Sequence, residues 1–78
     1  MDTTVEEVEE LRRIIGLNVK KQRELTGLSQ FKLAEEIGQK STTIISQGEL
    51  AKNKHFNIEQ LYKISKVLKC DMCDFFKI

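Results

Sequence analysis

The 78-residue sequence predicts an all-α fold. It contains no proline, and no stretch alternates apolar and polar residues as a half-buried strand does. Apolar residues instead recur at spacings of three and four along nearly the whole chain, which is the period of an amphipathic helix. A chain of this length forms one domain with a small core.

The first helix is predicted to begin near the N-terminus, where Thr3 and Thr4 are candidate N-caps before an acidic first turn. Its apolar residues form one stripe that we expect to face inward: Val5, Val8, Leu11, Ile15 and Val19. The helix either runs unbroken to about Thr26, where Gly27 ends it as a C-terminal glycine, or splits into a leader and a second helix from about Arg12. Gly16 weakens it in either case.

Two short helices are predicted next. Ser29 caps the first, which runs to about Ile37 and stops at Gly38. Ser41 or Thr42 caps the second, whose end is less defined because Gly48 lies inside the pattern. Two short helices joined by so few residues must cross at a steep angle, which is typical of a helix-turn-helix, whose second helix lies in the DNA major groove. The inward face of the first of these helices is predicted to be Leu33, Ala34 and Ile37.

The last part of the chain predicts one more amphipathic helix and a closing turn. Asn57 caps this helix with Gln60 as its capping-box partner. Asp71 caps a final turn, after which Phe75 and Phe76 provide the hydrophobic closure of the chain. The apolar face of the helix is predicted to be Ile58, Leu61, Ile64, Val67 and Leu68.

The charge is unevenly distributed. The net charge is only +1, but five of the 12 acidic residues lie in the first ten positions, where there is no base. The remainder carries 13 bases and the other 7 acids, and a basic body of this kind suits a polyanionic partner. On charge alone, the alternative that mixed charge simply keeps a small domain in solution stays open.

Composition and motifs argue against an enzyme, a metal site or a cofactor. The single histidine, His55, lies in a polar loop, where a solvated side chain or a phosphate contact is the usual role. Cys70 and Cys73 form one C-x-x-C without the further ligands that zinc needs and without the βαβ context of a redox pair, so we expect small core residues or a dimer contact. No apolar run could span a bilayer, and the acidic N-terminus does not resemble a secretion leader. We therefore expect a cytoplasmic protein.

The second short helix and its flanks carry hydrogen-bonding side chains of moderate length. Glutamine can bond adenine at two atoms, lysine can donate to guanine, and a threonine methyl can pack on thymine. The alternative is that the Ser/Thr run only forms caps and loops. The predicted DNA-binding residues in and around this helix are Lys40, Ser41, Thr42, Thr43, Ser46 and Gln47, followed by Lys52, Asn53 and Lys54 in the next loop, whose lysines we expect on phosphates.

These motifs resemble the Cro/C1-type (XRE-like) helix-turn-helix family from Ile15 to Phe76. The matching residues are Ile15-Gly16, Val19-Lys20, Arg23, Gly27-Leu28-Ser29-Gln30, Leu33-Ala34-Glu35, Gly38 and Ile45-Ser46, then Ile58, Leu61, Ile64, Ser65 and Leu68, and Asp71 to Phe76. The resemblance implies a compact five-helix bundle of the lambda-repressor-like type, here with an N-terminally extended first helix. It implies that Gln30 reaches a phosphate or a base edge and that Arg23 pairs with an acid such as Glu35 or Glu36.

The sequence departs from the family pattern around the third helix. The interval from Gly38 to Ile45-Ser46 is one residue longer than usual, unless Ile44 takes the place of the isoleucine. The first alignment puts Gly48 where a large apolar residue normally packs, and the second puts Gln47 there. Downstream, Ala51 replaces a common glycine, and the position of the family's proline is held by Phe56, the residue after His55.

The resulting hypothesis is a DNA-binding transcriptional regulator. Residues 1–14 are expected to form an acidic helical extension, and residues 15–78 the helix-turn-helix domain. The resemblance implies a homodimer, of repressor type, on a pseudo-palindromic site of double-stranded DNA with half-sites about one helical turn apart. The alternative hypothesis is a protein-interaction module or antitoxin-type partner binder, with the acidic extension packed on a partner.

Overall fold

The computed structural model describes residues 4–78 and confirms the all-α prediction. Within this range the chain forms α1 (Val5–Leu25), α2 (Gln30–Glu36), α3 (Thr43–Leu50), α4 (Ile58–Leu68) and a 3₁₀ helix (Met72–Phe76). The expected count of five helices is therefore slightly wrong, because the segment after Asp71 is long enough only for a 3₁₀ turn. None of the helices in residues 4–78 has the length and apolar character needed to cross a membrane.

α1 is one continuous helix, so the predicted split near Arg12 does not occur. Thr4 is its N-cap and forms a capping box: its hydroxyl accepts a hydrogen bond from the Glu7 amide at 3.1 Å, and its amide donates to the Glu7 carboxylate at 3.2 Å. The other candidate cap, Thr3, lies outside the described residues. Gly27 follows the helix with φ 77°, the left-handed conformation that a C-terminal glycine supplies.

The first half of α1 projects beyond the hydrophobic core. Val19 is fully buried, but Val5 is 69% exposed and Leu11 is 44% exposed. The prediction that the whole apolar stripe faces inward is therefore wrong for Val5 and Leu11, because within residues 4–78 the core lies against the second half of α1. The core itself is formed by Val19, Leu33, Ala34, Ile37, Ile45, Phe56, Leu61, Ile64, Leu68 and Phe75.

Gly16 is the point of closest approach between α1 and α3. A Cβ atom at this position would lie 2.5 Å from the carbonyl oxygens of both Gly48 and Glu49. Backbone atoms cannot turn aside as a side-chain tip can, so only glycine fits. The residue that weakens α1 as an isolated helix thus permits its packing against α3.

α4 begins as predicted, with a capping box between Asn57 and Gln60 whose two hydrogen bonds measure 2.7 and 2.9 Å. Leu61, Ile64 and Leu68 are buried, whereas Ile58 is 75% exposed. Including Ile58 in the inward face was therefore wrong: as the first residue of the helix, it precedes the point where α4 reaches the core.

The C-terminal segment is fastened to α1. The side-chain amide of Asn18 donates to the carbonyl oxygens of Phe75 and Lys77, at 3.0 and 2.7 Å. Phe75 is fully buried but Phe76 is partly exposed, so only the first phenylalanine closes the core. Cys73 is also exposed, contrary to the expectation of two core cysteines, because the three-residue period of the 3₁₀ helix turns Met72 and Phe75 inward instead.

Candidate nucleic-acid interface

α2 and the turn after it are fixed by local signals. The Ser29 hydroxyl accepts a hydrogen bond from the Lys32 amide at 3.0 Å, which confirms the predicted cap. Gly38 follows the helix with φ 81°, and the Gln39 amide then bonds back to the Ala34 carbonyl at 2.9 Å. This glycine-dependent stop reverses the chain and leads it into α3.

α3 begins after a loose N-terminal turn. Thr42 occupies the N-cap position without a side-chain cap bond, and the Ser41 hydroxyl accepts instead from the Thr43 amide at 3.4 Å. Ile45 is fully buried whereas Ile44 is only partly buried. Ile45 therefore takes the core position, which corresponds to the alignment that places Gly48 where a large apolar residue normally packs.

The space beside Gly48 is filled by Phe56. A Cβ atom on Gly48 would lie 2.5 Å from Cζ of the Phe56 ring and 2.8 Å from both Cε atoms. Phe56 is itself buried in the core, so its ring supplies from the α3–α4 loop the volume that α3 lacks. The two departures from the family pattern thus compensate each other sterically.

Ala51 ends α3 in a left-handed conformation, with φ 53°. The amide of Lys52 bonds to the Gln47 carbonyl at 3.0 Å, so the turn is closed in the way that a C-terminal glycine usually allows. An alanine carries its Cβ into this conformation at some energetic cost. The left-handed backbone conformation, for which the family uses glycine, is therefore also present in this chain.

A buried ion pair joins α1 to α3 beneath the turn. Arg23 donates from Nε to Oε2 of Glu49 at 2.7 Å and from Nη2 to Oε1 at 3.2 Å, and its Nη1 donates to the Leu28 carbonyl at 2.8 Å. Both side chains are almost fully buried. The implied partners of Arg23 were wrong: Glu35 and Glu36 are exposed and face Lys32, while Arg23 lies on the stripe of α1 that packs against α3.

Gln30 belongs to the same network. This residue is partly buried at the start of α2, and its side-chain amide donates to Oε1 of Glu49 at 2.9 Å. The network therefore ties α2, α3 and α1 together through one carboxylate. Glu49 is also the only acidic residue of α3, so burial beside Arg23 leaves the outer face of this helix without a negative charge.

The outer face of α3 presents uncharged side chains. Thr43 is exposed, and Ser46 and Gln47 are partly buried at the i+3 and i+4 positions of the same face. The Ser46 hydroxyl donates to the Thr43 carbonyl at 3.3 Å, and Oε1 of Gln47 is buried without a hydrogen-bond partner among residues 4–78. The same face ends at Leu50, an exposed residue that the sequence did not suggest as part of the site.

The predicted basic residues flank α3 at both ends. Lys40 is exposed in the turn before the helix, and Lys52 and Lys54 are exposed in the loop after it. Asn53 lies between these lysines with φ 67°, which asparagine tolerates better than most residues. Across a groove from this loop lies the acidic first half of α1, including Glu9.

The described residues offer little for covalent or metal chemistry. No group of three potential metal-binding side chains occurs in residues 4–78. Burial raises the pKa of the Cys70 thiol, and the carboxylates of Asp74 and Asp71 raise it further, so this thiol stays protonated and weakly nucleophilic. The arrangement is suited to hydrogen bonding and charge pairing with a ligand.

The model of a helix-turn-helix family matches residues 19–75, from the middle of α1 to the end of the core. The chain belongs to the Cro/C1-type helix-turn-helix family. It is thus a DNA-binding domain of the kind found in transcriptional regulators. The family match begins in the second half of α1, at its fully buried residue Val19. No curated protein matches the chain significantly.

The helix-turn-helix contains supporting residues that sequence reasoning missed. Glu49 could have been noticed as the only acid within a polar, uncharged helix. In the sequence, Phe56 is only a departure from the family pattern. The signal for its role is that a large aromatic residue follows a helix with an internal glycine, where it can fill the space that the glycine leaves. Leu50 carried no signal, since its spacing suits a buried position as well as an exposed one.

Proposed function

We propose that the chain is a sequence-specific regulator that binds double-stranded DNA as a homodimer and represses transcription, with α3 in the major groove. The observation that carries this proposal is the outer face of α3, which offers hydroxyl and amide groups and no negative charge because Glu49 is buried against Arg23. A major groove admits one helix, and base edges are recognised by such groups. The protein would act where DNA is, in the cytoplasm, without a cofactor.

The predicted residues divide into two roles. We expect Thr43, Ser46 and Gln47 to contact base edges, together with Ser41 and Thr42 at the entry to the helix. Gln30 keeps one amide hydrogen for a phosphate or base, since the other is bonded to Glu49. The residues proposed to contact phosphates are Lys40, Lys52, Asn53 and Lys54.

Phosphate contacts are tested by salt dependence. Lys52→Ala should weaken binding to all DNA sequences alike and lower the slope of log affinity against log salt by about one. Lys63→Ala is the matched control, because Lys63 is also exposed but lies on α4, paired with Glu59. Fluorescence anisotropy with one duplex at several salt concentrations gives both slopes. Equal slopes for Lys52→Ala and the unchanged protein contradict this role.

Base recognition is tested by sequence preference. Thr43→Val keeps the shape of the side chain and removes its hydroxyl, and Gln47→Ala removes the amide. Either change should alter discrimination at one base pair by about 1–3 kcal/mol if the contact is direct. The measurement is competition between duplexes that differ at single positions. An unchanged preference profile for both variants excludes these two residues as base contacts.

A second candidate function is a protein-interaction module, favoured by the exposed apolar residues Val5 and Leu11 on the acidic half of α1. We propose that residues 1–14 form an extension and residues 15–78 the DNA-binding domain, so the two functions could share one chain. Binding to DNA weakens steeply with salt, whereas an apolar protein contact does not. Measuring the affinity of a complex at several salt concentrations therefore distinguishes DNA binding from protein interaction.

A further inference from the structure

Leu50 is a large apolar residue on the outer face of α3 that the domain leaves 69% exposed. At about 100° per residue, the seven positions from Thr43 to Leu50 bring the two residues within about 20° of each other around the helix. Ile45 lies on the opposite side and is fully buried. Leu50 and Thr43 therefore share the outward direction, about 10 Å apart along the helix axis.

The surroundings of Leu50 are those of the proposed DNA surface. Gln47 is its neighbour on the same face, three residues earlier, and Lys52 and Lys54 are exposed in the loop that follows. Leu50 borders the groove between this loop and the acidic half of α1, but the groove wall does not cover it. Within Thr43–Leu50, it is the one large apolar residue that is exposed. A single leucine among lysines and hydrogen-bonding groups lacks the contiguous apolar area of a protein interface.

The major groove offers an apolar group that such a leucine fits. Thymine carries a C5-methyl group there, whereas the other distinguishing atoms of the base edges are hydrogen-bond donors and acceptors. Neighbouring base pairs are about 3.4 Å apart, and the Cβ atoms of helix residues three apart are about 5–6 Å apart. If Gln47 bonds an adenine edge, we expect Leu50 to reach the methyl group of the paired thymine or of a thymine one base pair away.

We infer that Leu50 contacts the C5-methyl group of a pyrimidine in each operator half-site and so helps to select the base at that position. The inference rests on the proposed function and deepens it, because it adds an apolar contact to the hydrogen bonds of α3. The same methyl group occurs on thymine and on 5-methylcytosine, so the recognised chemistry is the methylated edge of a pyrimidine.

Uracil substitution tests this contact, because deoxyuridine lacks only the methyl group of thymidine. The probe is the duplex enriched by selection from random DNA, with the thymines of one half-site replaced one at a time. At one position the unchanged chain should lose affinity about fourfold, the effect of withdrawing one methyl-sized group from water. Leu50→Ala should bind the thymine duplex more weakly and lose nothing further with uracil at that position. Competition followed by fluorescence anisotropy measures all four affinities.

Two further variants provide the controls. Leu25 is 72% exposed but lies at the end of α1, beside Lys21 and Glu24, so Leu25→Ala should keep the fourfold loss. Leu50→Met retains an apolar side chain of similar volume and should also keep it. Far-ultraviolet circular dichroism verifies that each variant is folded, as expected for exposed positions.

The source of the methyl group is identified by the motif itself. A motif from unmodified DNA with thymine at the sensitive position identifies thymine. A motif with cytosine there, which the unchanged chain binds about fourfold more tightly after C5-methylation and Leu50→Ala does not, identifies 5-methylcytosine.

The outcomes separate this inference from the proposed function. An absent motif overturns both, because no sequence is then recognised. A clear motif in which neither uracil nor 5-methylcytosine alters the affinity overturns the methyl contact and leaves DNA recognition intact. The inference is also overturned if uracil costs Leu50→Ala as much affinity as it costs the unchanged chain, the result for a leucine that packs only on the sugar–phosphate backbone.

Discussion

The contact between Gly48 and Phe56 makes a quantitative prediction about stability. Gly48→Ala would place a Cβ atom 2.5 Å from the ring, so a buried aromatic side chain must shift. Overpacking of this kind costs about 1–3 kcal/mol. The substitution also replaces glycine inside a helix, which by itself stabilises by about 1 kcal/mol. We therefore expect a net loss of about 0–2 kcal/mol in the free energy of unfolding.

A second background isolates the contact. In Phe56→Leu the atoms nearest to the new Cβ are absent, so Gly48→Ala should there stabilise the fold by about 1 kcal/mol. The resulting coupling energy is about 1–3 kcal/mol, and urea denaturation of the four proteins measures it. If Gly48→Ala has the same effect in both backgrounds, the two residues do not compensate each other and the packing argument is refuted.

Further predictions concern the ion pair, the end of α3, the helix contact and the acidic half of α1. Arg23→Met should lower the free energy of unfolding by about 3–5 kcal/mol because it leaves Glu49 charged and buried. Urea denaturation measures this loss, and an unchanged free energy would contradict the argument from the ion pair. Ala51→Gly should raise the melting temperature, because it relieves a left-handed strain of about 1–2 kcal/mol that exceeds the cost of the more flexible unfolded chain. An unchanged or lower melting temperature would contradict the presence of this strain. Gly16→Ala should lower the melting temperature sharply, in contrast to an ordinary helix glycine, since backbone oxygens block the new atom. Glu9→Gln should strengthen binding to any duplex by reducing repulsion beside the phosphate-contacting loop, and unaltered anisotropy titrations would exclude that effect.

Local signals allowed most of the fold to be predicted from the sequence. Ser29 and Asn57 cap helices as expected, because a cap depends on side chains within three residues of the helix start. Gly27 and Gly38 end helices for an equally local reason, the left-handed backbone conformation. The buried faces of α2 and most of α4 followed from periodicity alone, since α2 and all but the first turn of α4 lie against the core.

The errors came from long-range packing. The partner of Arg23 depends on which helix lies against α1, and no spacing along the chain distinguishes Glu49 from Glu35 or Glu36. The exposure of Val5 and Leu11 depends on how far along α1 the other elements of the domain extend. The predicted site residues lie around α3, but their individual roles depend on the docked DNA, so those roles remain predictions.

Selection of binding sites from random duplex DNA tests the central claim, that α3 recognises DNA sequence in the major groove of a two-fold symmetric site. The purified chain would be used at two salt concentrations, so that phosphate contacts are weakened in one of the two selections. We expect an enriched motif with two-fold symmetry and half-sites about one helical turn apart, retained at the higher salt. Binding that is weak, lost with salt and without any enriched motif would contradict the claim and favour a protein-interaction module.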